Sequence, residues 1–281
     1  MADILIRHCS TIAEFSACVD MQKRVWGYDE LDIIPMRMFI VARKIGGQVI
    51  GAFDQSDTLL GFALGIPGYR NGNSYIHSHM LAVAPEARNL GLGRRLKLFQ
   101  RDDALNRGIE LIEWTFDPLE IKNAHLNINR LGAIVRRYVP NQYGHSSSTL
   151  QAGLPTDRLI AEWWIKSRRV DQLLDIGTLP IGEMKIQETV AVPAAIAEWK
   201  QRDHARAADA QLNIRQRLLR LFAEGLSIVQ YHVGDDGSGE FRLAVWDEPW
   251  GYGPAPDQDP RTRGAHPEER TTSMFSEHMG N

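Results

Sequence analysis

The segment from Arg88 to Gly93 has residue types and spacing that suit the binding of a phosphate. It follows an apolar run ending at Val83, which predicts a buried strand, and it leads into a helical pattern. Glycines at the start of a helix let the backbone approach a ligand, and the free N–H groups there favour an anion. Arg88 and Arg94 add positive charge. The sequence therefore predicts a pyrophosphate site on a strand–turn–helix unit.

Two common phosphate-binding motifs do not fit this segment. The P-loop requires Lys followed by Ser or Thr, and neither follows Gly93. The dinucleotide fingerprint requires a third glycine at the position of Leu96. The segment instead resembles the acyl-CoA loop of the GNAT acyltransferase superfamily, Arg/Gln-x-x-Gly-x-Gly/Ala, with Arg88, Gly91 and Gly93 at the defining positions.

The resemblance implies acetyl-CoA or another acyl-CoA as co-substrate and no metal. It implies that the pyrophosphate lies on the turn and that the pantetheine arm lies along the preceding strand. The residues expected to contact this co-substrate are Leu81, Ala82, Val83, Arg88, Asn89, Leu90, Gly91, Leu92, Gly93, Arg94 and, at the start of a later helix, Asn123.

One position departs from the family pattern. That later helix commonly ends at an aliphatic-Gly-Phe element, and a tyrosine four residues before its glycine often protonates the leaving thiolate. Here the element is Leu131-Gly132-Ala133, and Ile128 stands at the tyrosine position. No catalytic tyrosine can therefore be transferred by resemblance, and Tyr138 or Tyr143 is the nearest replacement. Each could instead be a packing aromatic, and the thiolate could leave without an acid.

Four residues could carry the proton from an attacking amine: His77, His79, Glu110 and Glu113. Histidine titrates near neutrality, and residues two apart on a strand share a face. A buried carboxylate on the neighbouring strand could also be tuned upward. We predict His79 as the first candidate and Glu113 as the next, with Tyr138 as the third catalytic residue. The structural alternative is a histidine bonded to a carbonyl and a glutamate in a sheet pair, and a metal site would need a third ligand.

An arginine-rich helix lies in the C-terminal half. Arg215 and Arg217 are predicted to bind a substrate carboxylate, because a guanidinium matches it with two parallel hydrogen bonds. The alternative is a solvated helix face.

Composition limits the partners. The formal net charge of -3 gives no general affinity for nucleic acid. No apolar run has the length of a membrane span. Cys9 and Cys18, expected in one helical region, form neither a metal-ligand set nor a disulfide framework. We expect a cytoplasmic protein that acts on a small-molecule amine, and a homodimer remains open.

Patterning predicts a mixed α/β fold. Apolar spacing predicts helices at 11–27 and from Pro35 to Lys44, followed by strands, a polar loop at 68–74 and alternating helices and strands. The strands are expected at 48–53, 59–66, 75–83, 109–116, 134–139 and 159–164, with helices at 91–107 and from 123.

The chain is predicted to have three parts. Residues 1–168 form an acyl-CoA-binding GNAT core. Residues 169–246 form a C-terminal extension that completes the acceptor side. In it, Leu212, Leu219 and Phe222 share a face of a helix, and a hairpin follows around 234–239. Residues 247–281 are rich in Pro, Gly and charge, which predicts a disordered tail.

The resemblance implies an acyl-CoA-dependent N-acyltransferase that moves an acetyl or other short acyl group to a small amine, such as an amino acid. Some similar proteins are linked with N-succinylation of amino acids, which makes N-succinyl transfer one alternative. Loss of the tyrosine leaves a second alternative, a catalytically silent sensor or scaffold that binds acyl-CoA.

Overall fold

The fold was analysed in a computed structural model that describes residues 4–179 and 185–246. Met1–Gly68 and Ser74–Asp247 form one compact unit. Tyr69–Asn73 groups with Glu248–Asn281, and of that second unit only Tyr69–Asn73, at the turn between two strands, is described. The predicted tail at 247–281 lies outside the described residues.

Seven helices and ten strands occur in the described part of the chain. The helices are α1 Ile12–Trp26, α2 Met36–Lys44, α3 Leu92–Asn106, α4 Ile121–His125, α5 Arg168–Ile176, α6 Ile196–Arg202 and α7 His204–Ala223. The strands are β1 Leu5–His8, β2 Gln48–Phe53, β3 Leu59–Arg70, β4 Asn73–Val83, β5 Leu111–Phe116, β6 Ile134–Val139, β7 Arg158–Trp164, β8 Glu188–Val192, β9 Leu226–Val233 and β10 Gly239–Val245. No described helix combines the length and apolarity needed to cross a membrane.

The strands form one mixed sheet in the order β1-β2-β3-β4-β5-β7-β6-β9-β10-β8. The pair β4–β5 is parallel, and the pairs β1–β2, β2–β3, β5–β7, β7–β6, β6–β9, β9–β10 and β10–β8 are antiparallel. This is the predicted mixed α/β fold with a C-terminal extension. The strands of the 226–245 hairpin continue the same sheet rather than forming a separate one.

Two hydrophobic clusters fill the core. One contains α1, α2 and the strands from β2 to the outer part of β4, including Phe39, Phe62 and Met80. The other is built on β5, β7, β6, β9 and β10, including Trp163 and Phe241. The change from one cluster to the other falls at the boundary between β4 and β5.

The N-terminal prediction was wrong in one element. The chain starts with β1, which pairs with β2 from Leu5↔Phe53 to His8↔Ile50 and was not predicted, because four residues carry too little pattern. Cys9 therefore follows a strand while Cys18 lies in α1, and the two do not share a helical region; both are buried. The predicted 68–74 loop is also too long, since β3 and β4 extend into it.

The C-terminal helices required two corrections. Helix α5, capped by the Ser167 hydroxyl, was not predicted, and the long helical region is divided into α6 and α7. The buried face of α7 consists of Ala207, Gln211, Ile214, Leu218 and Leu221. Leu212 and Leu219, predicted to share an apolar face, are 44% and 39% exposed, so that face is not the one that packs on the core. In a leucine-rich helix, several stripes at helical spacing are apolar, and packing selects among them.

Candidate active site

The predicted phosphate turn connects β4 to α3. After Val83 the chain makes a short 3-10 turn, and Asn89 and Gly91 then adopt left-handed backbone with φ of 64° and 71°. Gly91 is the N-cap of α3, and no side chain caps this end. A Cβ at Gly91 would meet nothing within 4 Å, so its positive φ, not crowding, favours glycine. The uncapped N–H groups can donate hydrogen bonds to an anion.

Positive side chains border this turn. Arg88 is exposed, and the Arg94 guanidinium donates to the carbonyl of Arg130 at 3.3 Å. Burial, followed by the nearby charge of Arg130, lowers the pKa of Arg94. Arg95, in contrast, is bound to the backbone of Ile4 at 2.8 Å. In the part of the chain that the structure describes, no carboxylate forms an ion pair with Arg88 or Arg94, so their charges are available to an anion.

The strands β4 and β5 pair only at their beginnings. The parallel register consists of Ile76↔Ile112 and His77↔Glu113, although β4 continues to Val83 and β5 to Phe116. We call the point after the His77–Glu113 pair the β4/β5 divergence. Beyond it, no strand among the described residues pairs with the facing edge of β4, which includes Leu81 to Val83. An extended ligand arm can bond to such an edge as an added strand does.

Residues alternate between the two faces of the sheet at the divergence. Ser78 lies on the buried side with α3, and its hydroxyl donates to Gln100 at 2.9 Å; we call this the α3 face. His77 and His79 lie on the opposite side, with ring centroids 5.9 Å apart, and we call it the histidine face. Burial, then the charges of His79, Lys97 and Arg137, lowers the pKa of His77 to about 4. Burial also lowers the pKa of His79.

Glu113 is held in a buried ion-pair network on the histidine face. It pairs with Arg137, whose Nε also donates to Glu162 at 3.0 Å. The Arg136 guanidinium binds Glu162 as well, at 3.1 Å. Both arginines reach one carboxylate because a β-bulge between Val135 and Tyr138 breaks the alternation of β6. Glu113 therefore already has a cationic partner, so His79 is the better candidate for a proton acceptor.

Two other predicted site residues meet each other at Asp157. The Tyr138 hydroxyl donates to this buried carboxylate at 2.5 Å, and Arg215 binds it through two hydrogen bonds of 2.7 and 2.8 Å. Burial and the hydrogen bond to Asp157 raise the pKa of Tyr138. A tyrosine that holds its proton more tightly is a poorer acid, and Arg215 already has a carboxylate. These contacts give both residues a role in binding α7 to the loop before β7.

Arg217 and Asn123 lie elsewhere. Arg217 donates to the carbonyl of Thr189 at 2.7 Å and borders a cavity of 310 Å³ with Trp199 and Arg206. Its neighbour β8 is the last strand in the sheet order, so Arg217 lies at the far edge rather than beside the divergence. Asn123 is exposed on α4, which follows β5.

Two loops cover the histidine face. Ser147 donates from both its N–H and its hydroxyl to Asp32 at 2.7 Å, which joins the loop after β6 to the loop after α1. Tyr143 from the first loop shares a hydrogen bond of 2.9 Å with Thr115, two residues beyond Glu113 on β5. The loop after β6 therefore contacts β5 on the histidine face, beyond the β4/β5 divergence.

Arg158 is a functional candidate that the sequence did not reveal. It donates to the Asp157 carbonyl at 2.9 Å and to the Gln151 side chain at 3.1 Å, both neutral acceptors. Its guanidinium lies 5.6 Å from the centre of the Tyr143 ring. Its charge also acts on Tyr28, whose pKa burial raises and Arg158 lowers. Within residues 4–179 and 185–246, no carboxylate forms an ion pair with it.

The described residues offer no group of three His, Cys, Asp or Glu side chains that could hold a metal ion.

A family model described as the acetyltransferase (GNAT) family matches residues 18–126. The matched segment is less than half of the chain, but it contains the turn, α3 and the β4/β5 divergence. The family is one of acyl-CoA-dependent N-acetyltransferases. A search of curated proteins found no match.

Solved structures with similar folds include three bacterial proteins. A candidate acetyltransferase from Acinetobacter baylyi ADP1 has 17% identity and a TM-score of 0.48, covering 58% of this chain and 93% of its own. One from Salmonella typhimurium, solved with its cofactor acetyl-CoA, has 16% identity, 59% and 96% coverage and a TM-score of 0.47. The ribosomal-protein-S18-alanine N-acetyltransferase from Escherichia coli has 17% identity, 59% and 96% coverage and a TM-score of 0.46.

Proposed function

We propose that the chain is an acyltransferase of the GNAT type, which transfers an acyl group from acyl-CoA to the amine of a small molecule bearing a carboxylate. The observation that carries the proposal is an uncapped, arginine-bordered helix start that follows β4, the strand whose described pairing with β5 ends after His77. The first feature suits a pyrophosphate and the second suits an extended arm.

The residues of the turn fit the co-substrate. The N–H groups at the start of α3, together with Arg88 and Arg94, are proposed to hold the pyrophosphate. The free edge of β4 from Leu81 to Val83 is proposed to bond the pantetheine arm. The thioester supplies an activated carbonyl carbon, and the acyl group would then lie at the β4/β5 divergence, between the two faces of the sheet.

His79 is proposed to accept the proton of the attacking amine. It lies on the histidine face, two residues beyond His77 on β4. Burial lowers its pKa, which keeps the imidazole neutral near neutral pH. A neutral imidazole can accept a proton, whereas Glu113 would have to leave its pair with Arg137.

The acceptor is proposed to carry a carboxylate because Arg158 lies on the same side under Tyr143. Its described partners are neutral, so a ligand anion could bind it without breaking an ion pair. The extension at 169–246 would act here indirectly: Arg215 fixes Asp157, the neighbour of Arg158. An amino acid acceptor satisfies these requirements, and so does a succinyl thioester as donor.

The proposed binding mode is tested by calorimetry with CoA. We expect Gly91→Val to weaken binding at least about tenfold, since valine resists the positive φ that aims the N–H groups. Gly108→Val is the matched control: this glycine lies beyond the other end of α3, has φ of 73° and likewise has open space around it. Equal affinities for the two variants would contradict the CoA site.

Turnover separates an enzyme from a silent sensor. Thiol release from acyl-CoA is measured with a panel of amino acids and carboxylate-free amines. We expect release with an amino acid and a loss of about 100-fold in kcat for His79→Gln at unchanged CoA affinity. Tight CoA binding with no release on any amine would favour the sensor.

A further inference from the structure

Lys97 is a buried cation without a carboxylate partner among the described residues. Its side chain, on the sheet-facing side of α3, is 2% exposed. The ammonium nitrogen donates to the Ser78 hydroxyl at 2.6 Å and lies 3.6 Å from the centre of the Trp114 ring. An ammonium removed from water is costly unless an anion balances it. The other buried lysine, Lys200, has Asp117 at 2.8 Å.

The position of Lys97 is defined by the two strands that separate. His77 and Glu113 are the last paired residues of β4 and β5, and Ser78 and Trp114 are the residues that follow each of them. Lys97 contacts both followers. Its amine therefore lies at the β4/β5 divergence on the α3 face.

The residues otherwise predicted to serve the leaving group are not placed for it. The Tyr138 hydroxyl already donates a hydrogen bond to the Asp157 carboxylate. Tyr143 lies over Thr115, and Thr115 faces the histidine side of β5. On the α3 face, by contrast, the Lys97 ammonium is a proton donor at the β4/β5 divergence.

We propose that the Lys97 ammonium binds and protonates the thiolate that leaves when the acceptor amine attacks the thioester. This inference rests on the proposed function and adds a catalytic residue to it. The amine nitrogen forms a bond to the carbonyl carbon, the C–S bond breaks with its electrons moving to sulfur, and Lys97 transfers a proton to that sulfur. The proton lost by the acceptor amine returns through solvent to the neutral Lys97.

The environment of Lys97 suits this role. Burial lowers its pKa well below the usual value, which makes the proton easier to give up. Lowering the pKa of the ammonium brings it closer to that of the thiol group that it must protonate. The thiolate would in turn supply the negative charge that the described surroundings of Lys97 lack.

The test titrates the thiol of CoA bound to the full chain, by thiolate absorbance, with desulfo-CoA as the blank. In the wild type we expect the pKa of the bound thiol to fall by about 1–3 units relative to Lys97→Met, because an ammonium stabilises the thiolate. We also expect Lys97→Met to lower kcat about 100-fold with little change in KM for acyl-CoA. Lys166→Met, at an exposed lysine, should behave as the wild type.

The outcomes separate this inference from the proposed function. Absence of CoA binding contradicts both. CoA binding with the same thiol titration in wild type and Lys97→Met overturns the role of Lys97 alone, even if kcat or stability falls, since a purely structural contact with Ser78 predicts that result. Should Lys97→Met not fold, the wild type still decides: its preference for CoA over desulfo-CoA must increase as pH rises through the lowered thiol pKa, and a pH-independent preference overturns the inference.

Discussion

The two faces of the sheet at the β4/β5 divergence differ in how their buried charges are neutralised. On the histidine face, Glu113 and Glu162 are paired with Arg136 and Arg137. On the α3 face, Lys97 has a hydroxyl and an aromatic ring but no described carboxylate. Ion pairs on the first face satisfy one another within the protein. On the second face the described contacts of the cation are neutral, so a ligand anion would stabilise it further.

We propose that this difference is a better guide to functional charges than residue type. Glutamate, tyrosine and arginine are common catalytic residues, yet Glu113, Tyr138 and Arg215 each have a close partner of their own. Perturbed groups mark functional sites only in part, because ion-pair networks perturb them too. The informative observation is a buried or half-buried charge whose described contacts are neutral, and Lys97 and Arg158 both meet it.

Removing a charge from the ion-pair network on the histidine face should have the largest effect on stability. Glu162→Gln removes the carboxylate shared by the half-buried Arg136 and the buried Arg137, although Arg137 keeps its pair with Glu113. We expect a loss of about 3–5 kcal/mol in the free energy of unfolding, measured by urea titration, because uncompensated buried charge is costly.

The matched control for that measurement is Glu110→Gln. Glu110 pairs with Lys166 at 2.8 Å, but both side chains are at least half exposed. A solvated pair contributes less than about 1 kcal/mol. Similar losses in the two variants would mean that the network on the histidine face is no more structural than a surface pair.

The sequence predicted those parts of the site that depend on local geometry. The turn at Arg88 to Gly93 was predicted correctly as the start of a helix, because positive φ and an uncapped helix start are properties of neighbouring residues. The sheet core between β2 and β7 followed from apolar patterning in the same way.

Lys97 and Arg158 could not be found by such rules. The buried residues of α3 are Leu92, Leu96, Lys97, Gln100 and Ala104. In the sequence alone, polar residues such as Lys97 and Gln100 suggest a solvated face. Whether a cation has an anion nearby depends on strands that are distant in the chain. The same limit explains why Arg215, which finds Asp157 across 58 residues, was predicted to be available to substrate.

Arg158 offers the next test of the comparison, on specificity rather than stability. We expect Arg158→Gln to raise KM about 10- to 100-fold for a carboxylate-bearing acceptor, because it loses a charge-assisted hydrogen bond of about 1.5–3 kcal/mol. The KM for acyl-CoA and turnover of a carboxylate-free amine should not change.

The control for that variant is Arg206→Gln, an exposed arginine on α7 beside Trp199. We expect it to behave as the wild type with every acceptor. An equal rise in KM for acceptors with and without a carboxylate in Arg158→Gln would show that Arg158 only supports the loop through Gln151.

The smallest expected effect on stability comes from His77, whose surroundings on the histidine face keep it neutral. Burial, then the charges of His79, Lys97 and Arg137, lowers its pKa to about 4, against about 6.5 in the unfolded chain. Between these values the unfolded state takes up a proton that the folded state refuses. Stability present above pH 6.5 is therefore lost as pH falls, by about 2 kcal/mol at pH 5 for this group. We expect urea titrations at pH 7 and pH 5 to show this loss in the wild type and in His232→Gln, at an exposed histidine, but not in His77→Gln. If His77→Gln loses as much stability as the wild type, protons on other groups cause the change, and His77 is not held neutral by its surroundings.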